Sequence, residues 1–543
     1  MTIRNTTVRT ATLVAGISVL TLAATGQIAR ADQPFLLPNS LVISSTTYDP
    51  SQGAVASLMI GTTLADSETS TSIAIANNDY VNVWFNSTPD GNFGVTSPIK
   101  LLDVNPYDGR TFRAIRVPTD QVVTSFSSKS EGALHLTQDR HGSHLVFMGY
   151  ANPNVGALDV SNSDAVAGQD PTNPVSFAFG SDYTFHRTVV SLNDEGHFAY
   201  TPTIAYGGDN GRAALLGSNG LYYAVGNSNN GDASTFGASN GTNPDVTETT
   251  GLEVIQPING WSASVLIPDN NSAEVDPLIQ YPLGKNGKLD KAGKDNNYRG
   301  VTEFGGALYF TKGSGSNGMD TVYTVNSLPT VVNAATTTIS VVPGFPTDSA
   351  RDTGGDFAPF AVFFANATTM YVSDEGTNDD TDAAQHAGLE KWSLVNGNWQ
   401  LDYVLQQGLI GTVDSNLYGY DGQYPDVTTV GLHNLTGVIN DDGTVTLWAT
   451  TATSSSSGDS GSDPNKVVRI TDNLAATTVT SAVSAETFKT VAGPTYGTVY
   501  RGVAFICGRA DNGICTRGYD DHHHGQDGHD EHGHGDDHGR RGH

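Results

Sequence analysis

Arginine is scarce in the body of this chain, about a dozen residues, and three of them recur in one setting. Arg212, Arg299 and Arg501 each stand just before a short apolar run, as Arg187 does before another. Glu131 takes the same place in a further run, and His433 lies near it in one more. A guanidinium binds a carboxylate or phosphate through two parallel N–H···O bonds. If the fold gathers these positions, Arg212, Arg299, Arg501, Glu131 and His433 become the ligand-binding residues of a focused anion site in an acidic protein. The same residues also have a structural use, in which each arginine forks onto carbonyls or an Asp of the neighbouring element.

Two other groups have the chemistry of metal ligands. Residues 374–382 (DEGTNDDTD) put five carboxylates into nine positions: Asp374, Glu375, Asp379, Asp380 and Asp382. Such a density repels itself unless a cation or water screens it, and Ca²⁺ takes about six to eight oxygens from irregular loops of this kind. The full EF-hand pattern is absent, and a solvated acidic loop accounts for the same residues. The second group is the C-terminal stretch 519–543, which holds eight of the fifteen histidines: His522, His523, His524, His529, His532, His534, His538 and His543. Neutral imidazoles this close together chelate Zn, Ni or Cu. Nothing in the stretch orients them, so low-specificity capture is the expectation. No organic cofactor is expected.

Other strings imitate chemistry without its context. Residues 313–318 are a literal GxGxxG, but a dinucleotide site needs that turn between a parallel strand and a helix N-terminus. Here residues 321–325 (TVYTV) follow as another strand, so the string reads as a hairpin loop. Residues 458–461 (GDSG) look like the nucleophile loop of trypsin-like proteases, which also needs a positioned His and a buried Asp. No His-bearing motif of that type lies upstream, and Ser462, Asp463 and Pro464 replace the usual continuation. Residues 440–443 (NDDG) read as a hairpin turn. Sequons at Asn86, Asn240, Asn270, Asn366 and Asn434 matter only in a glycosylating host.

Composition bounds what these residues can be part of. The 543 residues include 56 acidic and 27 basic side chains, for a net charge of −29, with 37% hydrophobic residues, 8% aromatics and 61 Gly. This is a globular composition, neither disordered nor collagenous. Its acidity argues against a nucleic-acid partner, which needs a basic face. The N-terminus reads as a secretory leader. Arg4 and Arg9 precede an apolar stretch over 11–24, and Ala29-Arg30-Ala31 fits a cleavage site, giving a leader over 1–31 and a secreted or periplasmic protein. No other stretch is apolar enough to span a membrane. Cys507 and Cys515 are expected to pair in that oxidising setting. With three Arg in the leader, and seven acids against two Arg in the tail, residues 32–518 keep a net charge of about −27. The tail, 519–543, has nothing to bury and is expected to be disordered.

The elements that must position these residues are strands. Between residues 33 and 518, helical periodicity is nearly absent and short β-rich runs alternate with Gly, Asn, Asp, Ser and Thr turns. A looser unit recurs: a short apolar strand, a turn, then a second strand rich in aromatics. It occurs at 72–85, 131–150, 212–227, 299–311, 359–374 and 437–450, with a partial copy at 501–507 and a further partial match at 187–200. Units that bury their faces only against their neighbours predict an all-β fold, a β-propeller. The count gives seven blades, and the partial copies leave a range of six to eight. The first strand of each unit would line the central channel. The last, partial copy would close the ring against residues 41–45 (LVISS). A β-sandwich array is the alternative; a β-helix has a far shorter repeat.

Several strings resemble a group of secreted, propeller-like proteins of microbes. They are residues 130–134 (SEGAL), 297–301 (NYRGV), 342–346 (VPGFP), 360–364 (FAVFF), 371–376 (YVSDEG), 388–392 (GLEKW) and 463–466 (DPNK). The resemblance covers most of residues 40–506 and leaves out the tail. It implies the fold and export, and no catalytic residue. The expected function is that of an exported, monomeric propeller that binds a small anion, an acidic sugar or a protein partner at its channel mouth. One alternative is a Ca²⁺-dependent hydrolase of phytase-like outline, built on the 374–382 loop and the arginines. Another is metal capture through the His-rich tail.

Overall fold

The computed structural model describes residues 35–516, apart from 74–94, 158–185, 228–250, 267–296 and shorter loop segments. The leader, the tail histidines, Asp379, Asp380, Asp382 and the sequons at Asn86, Asn240 and Asn270 lie outside the described residues. Among the described residues the regular elements are strands, with one short 3₁₀ turn at Val483–Ala485. No helix there is long and apolar enough to cross a membrane.

The strands form a six-bladed β-propeller. From the channel outward, the first blade is Thr498–Phe505, Leu41–Thr47, Ile99–Val104 and Thr111–Arg116. The second is His135–Asp139, Gly142–Ala151, Arg187–Asn193 and Phe198–Thr203, extended by Val122–Phe126 and Val95–Ser97. The third is Gly211–Leu216, Tyr222–Gly226, Gly251–Ile255 and Ser264–Leu266; the fourth is Val301–Phe304, Ala307–Lys312, Thr321–Val325 and Ser340–Val341. The fifth is Pro359–Asn366, Thr369–Asp374, Gly388–Val395 and Asn398–Leu405. The sixth is Val427–Ile439, Thr444–Ser454, Val467–Asn473 and Lys489–Ala492. Neighbouring inner strands touch all the way around, the sixth meeting the first.

The ring closes as the sequence predicts. Leu41–Thr47 runs antiparallel to Thr498–Phe505, with Leu41 opposite Phe505 and Thr47 opposite Thr498. Six blades rather than seven follow from where two of the units fall. The unit at 72–85 lies between the second and third strands of the first blade, and of it Thr71–Ile73 pairs with Thr63–Ala65 in a separate two-stranded sheet. The partial match at 187–200 is the outer half of the second blade. Each of the other six units contributes to a different blade. A hairpin pattern reports pairing, not which strand faces the channel, so an insertion or an outer pair looks like a blade. The GxGxxG string joins antiparallel strands that pair from Lys312 opposite Thr321, as a hairpin loop should. Residues 440–443 close their hairpin with Gly443 at φ 80°.

Close packing at the start of the inner strands requires small residues. A Cβ on Gly300 would lie 2.4 Å from the Phe360 carbonyl oxygen, and one on Gly502 would lie 2.4 Å from that of Gly132. The repeated Arg-Gly-Val at 299–301 and 501–503 is thus read physically: a cation, then a residue the next blade can lie against. Asn434 continues this layer. Its Oδ1 accepts the N–H of Val503 at 2.7 Å and of Leu134 at 3.3 Å, tying the sixth blade to the first and second. This sequon is buried in the folded protein. Cys507 and Cys515 are disulfide-bonded, with Cα atoms 5.6 Å apart. The bond staples the hairpin Arg509–Asp511/Ile514–Thr516, whose Thr516 bridges Ile439 in parallel.

Between blades the core is aromatic. Phe304 stacks on Phe364 at 4.2 Å between the fourth and fifth blades, and Trp448 on Phe505 at 4.9 Å between the sixth and first. Between the fifth and sixth lies a buried ion pair. Lys391 Nζ donates to Asp472 Oδ2 at 2.9 Å, Tyr403 Oη at 3.0 Å and the Asn473 carbonyl at 2.7 Å; both charged side chains are fully buried. Burial and the adjacent Asp472 push the Tyr371 and Tyr403 hydroxyls far up, so both stay neutral donors. Removing one member of such a pair leaves the other charged and unsolvated. Lys391→Met should therefore lower stability by about 3–5 kcal/mol in urea unfolding. The double variant Lys391→Met/Asp472→Asn should recover part of that loss.

Candidate functional site

The structure brings the predicted residues together in two groups: Glu131 of the second blade with Arg501 of the first, and Arg299 of the fourth with His433 of the sixth, joined by Glu375 and with Phe360 of the fifth against His433. Arg212 stands at the start of the inner strand of the third blade, Gly211–Leu216. All five predicted residues are buried, with 1% to 9% of their surface exposed.

On one side, the Glu131 carboxylate is held by three groups. Oε2 accepts from Thr124 Oγ1 at 2.9 Å and from the Ser125 N–H at 3.1 Å, and Oε1 accepts from the Tyr150 hydroxyl. That hydroxyl also lies 2.7 Å from Asn210 Oδ1. The Arg187 guanidinium sits 5.1 Å over the Tyr150 ring. Burial pushes the Glu131 carboxyl up, and Arg501 beside it pulls the other way. Arg501 itself donates to the Ser125 carbonyl at 2.6 Å. This is the structural use expected of it.

On the other side, one carboxylate joins two cationic positions. Glu375 lies with Oε1 3.8 Å from the Arg299 guanidinium and Oε2 3.2 Å from His433 Nε2. The His433 ring stacks on Phe360 at 4.4 Å. Lys312 Nζ and Asp320 Oδ1 pair at 2.8 Å, and Arg299 and Glu375 both act on the buried Asp320 carboxyl. Sequence reasoning did not find Lys312 and Asp320, and it took Glu375 for a loop carboxylate. Glu375 follows the second strand of the fifth blade and reaches back to the blade before and on to the one after, a relation no local spacing records.

Asp374, next to it, is turned into the blade. Its Oδ2 accepts the Ala358 N–H at 2.6 Å and its Oδ1 the Gly376 N–H at 2.8 Å. Burial, with Glu390 nearby, pushes it up to about 8. Glu390 in turn lies 2.5 Å from His386 Nδ1 and accepts from Trp392 Nε1 at 2.8 Å. Among the described residues no group of three His, Cys, Asp or Glu side chains is placed to hold a metal ion.

Below the charged layer the channel opens into a cavity of about 530 Å³ lined by all six inner strands. Leu134, Leu215, Val301, Phe304 and Leu435 make it largely apolar, and the Cys507–Cys515 bond lies along its wall. His135 is one of its polar lining residues, with Nε2 3.4 Å from Thr302 Oγ1. Burial pushes the ring down to about 4.

No protein-family model matches the chain, nor does any curated protein sequence. Among solved structures it is similar to the RS223 β-xylosidase, at 11% identity and a TM-score of 0.26, covering 64% of this chain and 97% of that one. It is similar to the parainfluenza virus 5 hemagglutinin-neuraminidase ectodomain at 11% identity and a TM-score of 0.30, covering 67% and 73%. The Bombyx mori GH32 β-fructofuranosidase matches at 12% identity and a TM-score of 0.26, over 63% and 60%. At this level the likeness carries no argument, and what those proteins act on stays with them.

The buried imidazole gives the fold an acid limit. An unfolded histidine takes up a proton near pH 6.5, whereas native His135 stays neutral until about pH 4. The unfolded state therefore binds more protons in this window, and stability falls as pH drops through it. His135→Gln should flatten that fall by up to about 1.4 kcal/mol per pH unit, as read by calorimetry between pH 6.5 and 4.

Proposed function

We propose that this protein is an exported binding protein whose ligand presents a carboxylate to the charged mouth, between Arg299 and His433. Glu375 carries the proposal. A carboxylate already lies 3.8 Å from Arg299 and 3.2 Å from His433, with about a tenth of each side chain exposed. A place that suits one carboxylate suits another, from a small acid, an acidic sugar or a peptide C-terminus. Around it lie the buried cations Arg187, Arg212, Arg299, Lys312 and Arg501 and the buried acids Glu131, Asp320 and Asp374. In a chain of net charge −29, guanidinium groups near one end of the channel are the attraction an anion would meet there. The disulfide suits an oxidising compartment, which is where export would place the protein.

The hydrolase alternative has less behind it. Its Ca²⁺ site would need Asp379, Asp380 and Asp382, while Asp374 is bound to backbone and Glu375 to Arg299 and His433. Capture of Zn, Ni or Cu by the tail would rest on His522, His523, His524, His529, His532 and His534.

The test is thermal melting in galacturonate, in acetate, and in Ca²⁺ against EDTA, because a ligand specific to the native state raises Tm. A carboxylate should raise Tm, and Arg299→Ala should abolish the rise. Glu375→Gln, which removes the resident competitor, should strengthen binding by about tenfold, or ~1.4 kcal/mol. A wild type and a Glu375→Gln variant that both ignore carboxylates would overturn the proposal. A rise in Ca²⁺ alone would favour the hydrolase.

A further inference from the structure

Among the described residues the basic side chains are sorted by place. Arg187, Arg212, Arg299, Lys312, Lys391 and Arg501 are buried. The described lysines and arginines with exposed or half-exposed side chains are Lys100, Arg110, Arg113, Arg116, Lys466, Arg469 and Lys489. All seven lie on the outer strands of the first blade or the adjacent sixth, or in the turns leading to them.

Register shows that several share the seam between those two blades. Cross-strand partners lie on one face of a sheet. Lys100 is opposite Arg116, and the next pair on that face, Leu102 with Ala114, packs toward the sixth blade. Arg469 is opposite both Trp448 and Lys489, and Trp448 packs toward the first blade. The turn between Asn105 and Arg110 is pressed onto the seam. Its Pro106 carbonyl accepts from Trp448 Nε1 at 2.7 Å, and a Cβ on Gly109 would lie 1.8 Å from the Val491 carbonyl oxygen. Two aromatics stand exposed there, Tyr107 at 39% and Phe112 at 45%, each with a guanidinium alongside: Arg469 5.2 Å from the Tyr107 ring and Arg110 5.6 Å from that of Phe112.

Two cation–cation pairs, Lys100 with Arg116 and Arg469 with Lys489, directly face each other in their ladders, an arrangement that destabilises a sheet. Charge on an edge strand, lysine especially, also guards against strand addition. In a chain with 56 acids and 27 bases the seam is nonetheless mostly positive, with Asp108 an exposed acid in its turn. Asp103 is buried against Arg113, and Asp108 accepts the Arg110 N–H, so neither lies between the members of those two pairs.

We propose that this seam docks an acidic polysaccharide. An aromatic ring stacks on the apolar face of a pyranose, and the adjacent guanidinium forks onto its carboxylate. The two aromatic–arginine couples supply that combination on a turn already fixed by packing. A uronate polymer is also sparser in charge than duplex DNA, with its one charge per about 1.7 Å, and is repelled less by the acidic remainder of the protein. This surface is separate from the channel mouth and does not rest on the function proposed there.

The test is gel retardation of the full chain in polygalacturonate, with dextran and duplex DNA as controls. Polygalacturonate should retard the wild type and dextran should not. Arg110→Ala/Arg469→Ala and Tyr107→Ala/Phe112→Ala should each weaken retardation by about tenfold or more, with Tm held near the wild-type value. Absence of retardation by polygalacturonate would overturn the proposal. So would retardation that survives the aromatic substitutions, or equal retardation by DNA, because both describe unspecific attraction of polyanions.

Discussion

The fold hangs on one antiparallel ladder between its two ends. Leu41–Thr47 and Thr498–Phe505 are separated by nearly the whole chain, and their pairing completes the first blade. Until it forms, that blade lacks its inner strand and the sixth has no neighbour on one side. A propeller blade buries its faces only against adjacent blades. The ring is thus cooperative through a contact that spans nearly the whole chain, and bringing such distant strands together carries a large loop-closure entropy. The Val503 N–H bonded to Asn434, and Phe505 stacked on Trp448, secure the same joint from the side of the sixth blade.

The charges follow from that geometry. Where six strands converge, backbones approach closely and the residues before the convergence point inward at one level. Arginine suits this place because one guanidinium can serve a carbonyl and a carboxylate at once, as Arg501 of the first blade does with the Ser125 carbonyl and the nearby Glu131, both of the second. Arg299 meets Glu375, whose other oxygen faces His433. A group that bridges blades is held in place by the fold itself, which under the binding function proposed above would lower the ordering cost of taking a ligand.

Much of this was legible in the sequence. The recurrence of Arg212, Arg299 and Arg501 before apolar runs was enough to associate each with the inner strand of a different blade. Residues 41–45 could be named as the closing partner because the final copy, 501–507, lacked a second strand. The blade number was not legible, since the sequence at 72–85 obeys the same local pattern as a blade, while its described start, Thr71–Ile73, pairs with Thr63–Ala65 in a separate two-stranded sheet. Partners drawn from other blades were also hidden. Glu375 meets Arg299, and Lys391 meets Asp472, across long separations that leave no periodic trace. The basic seam escaped notice because Lys100, Arg116, Arg469 and Lys489 become neighbours only through register.

Asn434 joins these themes to the order in which the chain is made. Its amide oxygen waits for two N–H groups, one of them on Val503, which is synthesised long after it. Throughout that interval the Asn-Leu-Thr tripeptide at 434–436 is an open acceptor for any machinery that attaches glycans to nascent chains. A sugar placed there would sit where three inner strands must meet, in a layer too tight for a Cβ on Gly502. The joint that makes the ring stable is therefore also its point of incompatibility with glycosylating hosts. In such a host, replacing Thr436 rather than Asn434 would remove the acceptor motif with the loss of one bond of the joint, from the Phe505 N–H to Thr436 Oγ1, while keeping those of Asn434 to Val503 and Leu134.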